Sequence, residues 1–122
     1  MLTSPLNVAV VGCGVAGMGA AIALARRGCD VTLFEAFERP QALGSGLLLQ
    51  PSGLAALRTL GLAEIVIDHG AKINRLDGRD QRGRRILDMS YDHWRPGAFG
   101  VGISRSNLFD ALSTLKMSKA PE

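Results

Sequence analysis

The sequence is short of aromatic residues, cysteine and histidine, and it lacks a basic leader; each shortage removes a class of protein. Aromatics make up 5% of its 122 residues, and none is interleaved with the basic cluster Arg79, Arg82, Arg84 and Arg85. Nucleic-acid surfaces combine clustered cations with stacking rings or a recognisable motif. The formal charge of +3 is therefore read as a solvated hairpin face, and no nucleic-acid partner is expected. The two cysteines, Cys13 and Cys29, fall at opposite ends of an expected helix, too far apart for a disulfide, and free thiols fit a cytoplasmic protein. His69 and His93 have no neighbours at metal-ligand or triad spacing, so no metal site is expected and the catalytic residues stay unknown. Met1 to Asn7 contains neither Lys nor Arg, unlike a signal peptide. The uncharged run from Val8 to Ala25 approaches the length of a membrane span. It holds Gly12, Gly14, Gly17 and Gly19, however, and turns from β-branched to alanine-rich halfway, so no membrane association is expected.

The same run reads well as a strand and a helix. Val8-Ala9-Val10-Val11 is a continuous apolar strand of the kind covered on both faces in a parallel sheet. Gly12-Cys13-Gly14-Val15-Ala16-Gly17 supplies G-x-G-x-x-G after that strand, at the start of a helix that runs to about Arg27 and stops at Gly28. A second strand, Asp30 to Phe34, ends at Glu35. Glu35 follows Gly17 by 18 positions, near the roughly 20 that a dinucleotide fingerprint places before its acidic residue.

Each residue type has a physical task. Gly12 permits the sharp turn, Gly14 lets backbone approach a pyrophosphate, and Gly17 lets helix and strand pack closely. The helix start offers open amides and a partial positive charge to phosphate. Glu35 can accept hydrogen bonds from ribose hydroxyls, and its charge repels a 2′-phosphate, which disfavours NADP at this site. FAD and NAD present the same adenosine diphosphate to such a unit, and the fingerprint leaves that choice open.

Further along, Gly44 to Leu62 reads as a glycine-bearing loop, a short apolar strand and a helix from about Ser52 to Leu60, closed by Gly61 and covered by Leu62. With Gly12, Gly14, Gly17, Glu35, Gly46, Gln50 and Pro51 in this order, the sequence resembles the N-terminal part of FAD-dependent monooxygenases of the aromatic-ring hydroxylase type. The segment Ile103 to Leu112, with Arg105, resembles the same family's strand, arginine and helix. That resemblance implies a place for Arg105 near the ribityl and phosphate region of the flavin, and a looser one for Arg39 along the adenosine side. An arginine in the first turn of a helix sits at the unfavourable end of the dipole, which by itself suits a bound anion.

Between these segments a helix from Ala63 to His69, a hairpin of Ile73–Gly78 and Arg85–Tyr91 turning through Asp80 to Gly83, and a strand Phe99–Ile103 are expected. Leu76, Leu87, Met89 and Phe99 are expected in the core, and Trp94 in a polar turn. The fold class is α/β, a Rossmann-like βαβ unit with additional hairpin strands. Residues 1–122 are expected to form the N-terminal portion of an FAD-binding domain, incomplete because the resemblance stops before the family's later cofactor segments.

The residues expected on the cofactor are Gly12, Gly14, Val15, Ala16, Gly17, Glu35, Ala36, Arg39, Gly46, Gln50 and Arg105. The resemblance implies FAD as cofactor, NADH or NADPH as transient reductant, and hydroxylation of a small organic substrate with O2; it implies little activity for such a portion alone. An NAD-binding oxidoreductase module and a non-enzymatic remnant are the other readings. Open sheet edges suggest association with other chains.

Overall fold

The computed structural model describes residues 5–38 and 44–115, which fall into two units, residues 1–45 with 105–122 and residues 46–104.

The first unit is built on β1 (Asn7–Val11), α1 (Val15–Arg26) and β2 (Asp30–Phe34). The strands run parallel with Asn7 opposite Asp30 and Val11 opposite Phe34, as a β-turn-helix-β crossover requires. The helix ends where the sequence placed its stop. Gly28 takes φ +84, its N–H bonds to Ala25 O, and that of Cys29 bonds to Leu24 O, which is the pair of bonds of a Schellman closure. The helix that closes this unit, Arg105–Ser113, lies against α1. Met18, Ala21 and Ile22 of α1 and Leu108, Phe109, Ala111 and Leu112 of the closing helix are buried.

One expectation fails here. β1 is not covered on both faces: burial alternates along it, and Val11 is 85% exposed. An apolar run does not by itself specify how many faces are covered. Among the described residues β1 pairs with β2 alone, so its other edge is open.

The second unit contains β3 (Gly46–Leu49), α2 (Pro51–Thr59), α3 (Ala63–Asp68), β4 (Ala71–Ile73), β5 (Arg75–Arg79), β6 (Arg85–Ser90), α4 (Tyr91–Trp94) and β7 (Gly100–Ser104); the closing helix of the first unit is α5. β7 is the middle strand of an antiparallel sheet, between β3 and β4. Its Val101 is fully buried and Ile103 nearly so. Leu54, Leu57, Leu62, Ala63 and Val66, from α2, α3 and the turn between them, are also buried. Gly61, at φ +75, lets Leu62 N–H return to Leu57 O, and both leucines are buried as such a closure favours.

The expected strand Ile73–Gly78 is divided at Asn74. β4 pairs with β7, whereas β5 pairs with β6, and Asn74 O accepts the Tyr91 N–H between them. The β5–β6 ribbon carries an ionic ladder, with Arg75 and Arg85 on Asp88 and Arg85 also on Asp77. Arg79 pairs with Asp77 and Arg84 with Asp80 as well, and the whole basic cluster is exposed on the hairpin, as expected. Leu87 and Met89 are exposed, and Leu76 and Phe99 only half-buried, which corrects their placement in the core. The ribbon is two-stranded, and no layer among the described residues buries its apolar side.

Candidate functional site: a glycine turn clasped by Glu35

At the mouth of the first unit the chain leaves β1, turns at Gly12 and enters α1 at Gly14. Gly12 adopts φ +99, a conformation costly to any residue with a Cβ. Its N–H is held by Phe34 O at 2.7 Å, so the turn is fastened to the end of β2. Gly17 has no room for a side chain: a Cβ there would drive into Gly12 O and stand 3.0 Å from Gly12 C. Gly14 is different. It has extended backbone, φ −84 and ψ −175, and a Cβ would meet nothing within 4 Å. Backbone conformation therefore dictates glycine at 12 and packing dictates it at 17, whereas nothing within the described residues dictates it at 14.

The open space at Gly14 faces the start of α1. No side chain caps this helix and no acidic residue lies in its first turn, so the amides opening it, at Val15, Ala16 and Gly17, keep the unpaired character of a helix start. Met18 N–H makes the first helical bond, to Gly14 O at 2.9 Å.

Glu35 stands beside this turn. Its Oε2 accepts the Cys13 N–H at 2.8 Å, and its Oε1 accepts those of Ala36 and Phe37 at 2.7 and 3.2 Å. These bonds, that from Cys13 foremost, hold the Glu35 carboxyl below its ordinary range. The neighbouring Cys13 thiol is pushed up, first by burial and then by the Glu35 charge. It is a free thiol, as is Cys29, and is poorly suited to act as a nucleophile. A carboxylate offers about four acceptor positions; three backbone N–H groups occupy three of them, so Glu35 can still receive one hydroxyl.

Arg105 opens α5 with an exposed side chain. It runs across Gly44, whose Cβ would lie 3.2 Å from Arg105 Cδ, Nε and Cζ, and Gly44 takes φ +113. Gly46 and Gln50 belong to the second unit. Gly46 pairs with Ser104 in the sheet, and the Gln50 side chain is engaged by Tyr91, whose hydroxyl donates to Gln50 Oε1 at 2.8 Å. Arg39 lies outside the described residues.

The structure therefore brings Gly12, Gly14, Gly17, Glu35 and Ala36 into one turn, sets Arg105 against Gly44, and leaves Gly46 and Gln50 in a separate unit. Two contacts had no sequence signal: the clasp between Glu35 and Cys13, and the Tyr91–Gln50 bond between residues 41 positions apart. Among the described residues no group of acidic, histidine or cysteine side chains could hold a metal ion, and no helix is long and apolar enough to cross a membrane.

Comparisons with known proteins agree with this geometry. The profile of the FAD binding domain family matches residues 5–101. Over 106 residues the chain is 30% identical to an FAD-dependent urate hydroxylase of Klebsiella pneumoniae, covering 84% of this chain and 28% of the hydroxylase. It is 37% identical over 79 residues to 3-amino-4-hydroxybenzoate 2-monooxygenase of Streptomyces cremeus, 65% of this chain and 20% of that enzyme. Among solved structures, the tetrameric form of 2-methyl-3-hydroxypyridine-5-carboxylic acid oxygenase superposes with a TM-score of 0.76 at 29% identity, covering 90% of this chain and 28% of the oxygenase. The chain thus spans between a fifth and a third of the length of these relatives. A profile match over most of the sequence, on a strand, glycine turn, helix and acid in the expected register, makes this chain a member of the FAD binding domain family.

Proposed function

We propose that this chain binds the adenosine diphosphate end of FAD in the turn between β1 and α1, as the N-terminal portion, residues 1–122, of an FAD-binding domain. The observation that carries the reading is the open space at Gly14 beside uncapped amides, with one acceptor position of Glu35 to spare. The pyrophosphate takes the space over Gly14 and the amides of Val15, Ala16 and Gly17. The helix start stabilises it by about 0.3–1 kcal/mol per anionic group. Glu35 and the adjoining Ala36 take the adenosine ribose, and the family resemblance assigns Arg39 to the adenosine side. Arg105 neutralises phosphate, and the family resemblance also assigns Gly46 and Gln50 to the cofactor.

When bound, FAD supplies the redox chemistry, and the protein's part is to orient it and exclude water. The hydroxylases and monooxygenases among the relatives support hydroxylation of a small organic substrate, using O2 and NADH or NADPH, as the activity of the assembled enzyme. The free thiols of Cys13 and Cys29 fit a cytoplasmic setting.

The test is a titration of the purified chain with FAD and, separately, NAD, followed by flavin absorbance and fluorescence, with Glu35→Arg and Gly14→Ala alongside. Saturable FAD binding that weakens in both variants is expected. Binding of neither nucleotide, or FAD binding indifferent to both substitutions, would overturn the reading.

A further inference from the structure

Gly44 is the glycine whose nearest neighbour is a charged side chain. A Cβ there would stand 3.2 Å from Cδ, Nε and Cζ of Arg105 alike. At that distance, a point equally far from three bonded atoms of a bent chain lies well above their plane. The guanidinium therefore rests face-on over Gly44, not edge-on. Its N–H groups fan out within its own plane, and among the described residues none of them finds an acceptor. Both residues belong to the first unit.

Two separate demands meet at Gly44. Its φ of +113 accounts for a glycine in the turn. The contact with Arg105 adds to this, because 3.2 Å is tighter than most contacts that a Cβ makes. Of the two partners, the long arginine side chain is the one that yields. A side chain at 44 would thus displace the cation as well as strain the turn.

We propose that Gly44 is a positioning residue for Arg105: its bare Cα is the platform on which the guanidinium lies, ordered and with its N–H donors unspent before a phosphate arrives. The inference rests on the reading that Arg105 neutralises a phosphate of the cofactor. A long side chain that is already ordered loses little rotamer freedom on binding. The flat face matters, since a lysine ammonium carries the charge but has no plane to lay on a bare Cα.

Two measurements test this. NMR relaxation of the arginine Nε–H groups in the ligand-free chain reads the order of Arg105, whose signal is the one missing from Arg105→Lys. An order parameter near the rigid-backbone value of about 0.85 is expected, falling below about 0.6 in Gly44→Ala. The native value decides the matter even if Gly44→Ala does not fold. In FAD titrations, Arg105→Met is expected to weaken binding about tenfold, as loss of a charge-assisted bond does. Gly44→Ala is expected to weaken it several-fold in the native background and not at all in Arg105→Met, where no guanidinium is left to place. A glycine needed only for the turn would cost the same in both backgrounds. A mobile Arg105 Nε–H in the native chain, or equal losses in the two backgrounds, would overturn the proposal and leave the nucleotide reading standing. Native affinity in Arg105→Met would overturn the assignment of Arg105 to phosphate, and the role of Gly44 with it.

Discussion

Replacing Gly17 and Gly19 of α1, and Gly14 at its N-cap, by alanine separates the roles that one motif combines. At Gly17 a Cβ would penetrate Gly12 O, and that oxygen cannot yield cheaply. Gly12 sits at φ +99 and its own N–H is held by Phe34 O at 2.7 Å, so moving it loosens the join between β1 and β2. Overpacking of this kind costs about 1–3 kcal/mol, against a gain near 1 kcal/mol from replacing glycine inside a helix. Gly19, in the same helix with nothing within 4 Å of its Cβ, receives the gain without the clash. Gly17→Ala is thus expected to be less stable than Gly19→Ala by about 1–3 kcal/mol, or roughly 4–12 °C in melting temperature. Gly14→Ala should cost about 0.5–1 kcal/mol of stability, alanine being a poorer N-cap than glycine, while weakening FAD, since its new methyl enters the proposed pyrophosphate space. Urea denaturation followed by far-ultraviolet circular dichroism, with FAD titration in parallel, measures both effects. A Gly17→Ala protein as stable as Gly19→Ala would refute the steric reasoning, and a Gly14→Ala protein with native affinity would refute the placement of the pyrophosphate.

Other outcomes follow from the same structure. The Glu35 carboxyl is held below its ordinary value by three backbone N–H groups. Its contribution to stability is complete above the unfolded value of about 4.3 and is lost as pH falls through the folded value; melting curves of the native chain and Glu35→Gln should therefore differ at pH 6 and converge on acidification. Leu54, 1% exposed, should cost about 2–5 kcal/mol when truncated to alanine, read by urea midpoint. The open edge of β1, with Val11, Phe34 and Phe37 exposed, should give concentration-dependent association in light scattering, whereas a monodisperse monomer at high concentration would count against it.

Where the sequence dictated structure, a short-range constraint did so. The turn at Gly12 to Gly17 was legible because its sterics are local, and the helix ends at Gly28 and Gly61 because only glycine enters that backbone region cheaply. The acid at Glu35 was legible by spacing, but not its grip on the Cys13 amide, which depends on how closely β2 returns to the turn. The division of the hairpin at Asn74 escaped notice because strand partners are chosen by distant residues: β4 takes β7, and nothing within Ile73–Gly78 announces that choice. Leu87 and Met89 look like core residues by type, yet burial needs a second layer, and hydropathy cannot say whether one is present. Tyr91 and Gln50 carry no mutual signal at all, since a hydroxyl and an amide have many alternative partners.

The helix that shields α1 has a consequence for biosynthesis. α1 and α5 belong to one unit made of residues 1–45 and 105–122, interrupted by the other unit at 46–104. On a ribosome, the glycine turn and its helix emerge first yet wait for their covering helix until the whole interposed unit has been translated. The interposed unit is contiguous and can close as soon as β7 appears, so it is set to fold ahead of its host. During that interval the apolar flank of α1, with Met18, Ala21 and Ile22, lacks the cover that α5 gives it in the folded unit.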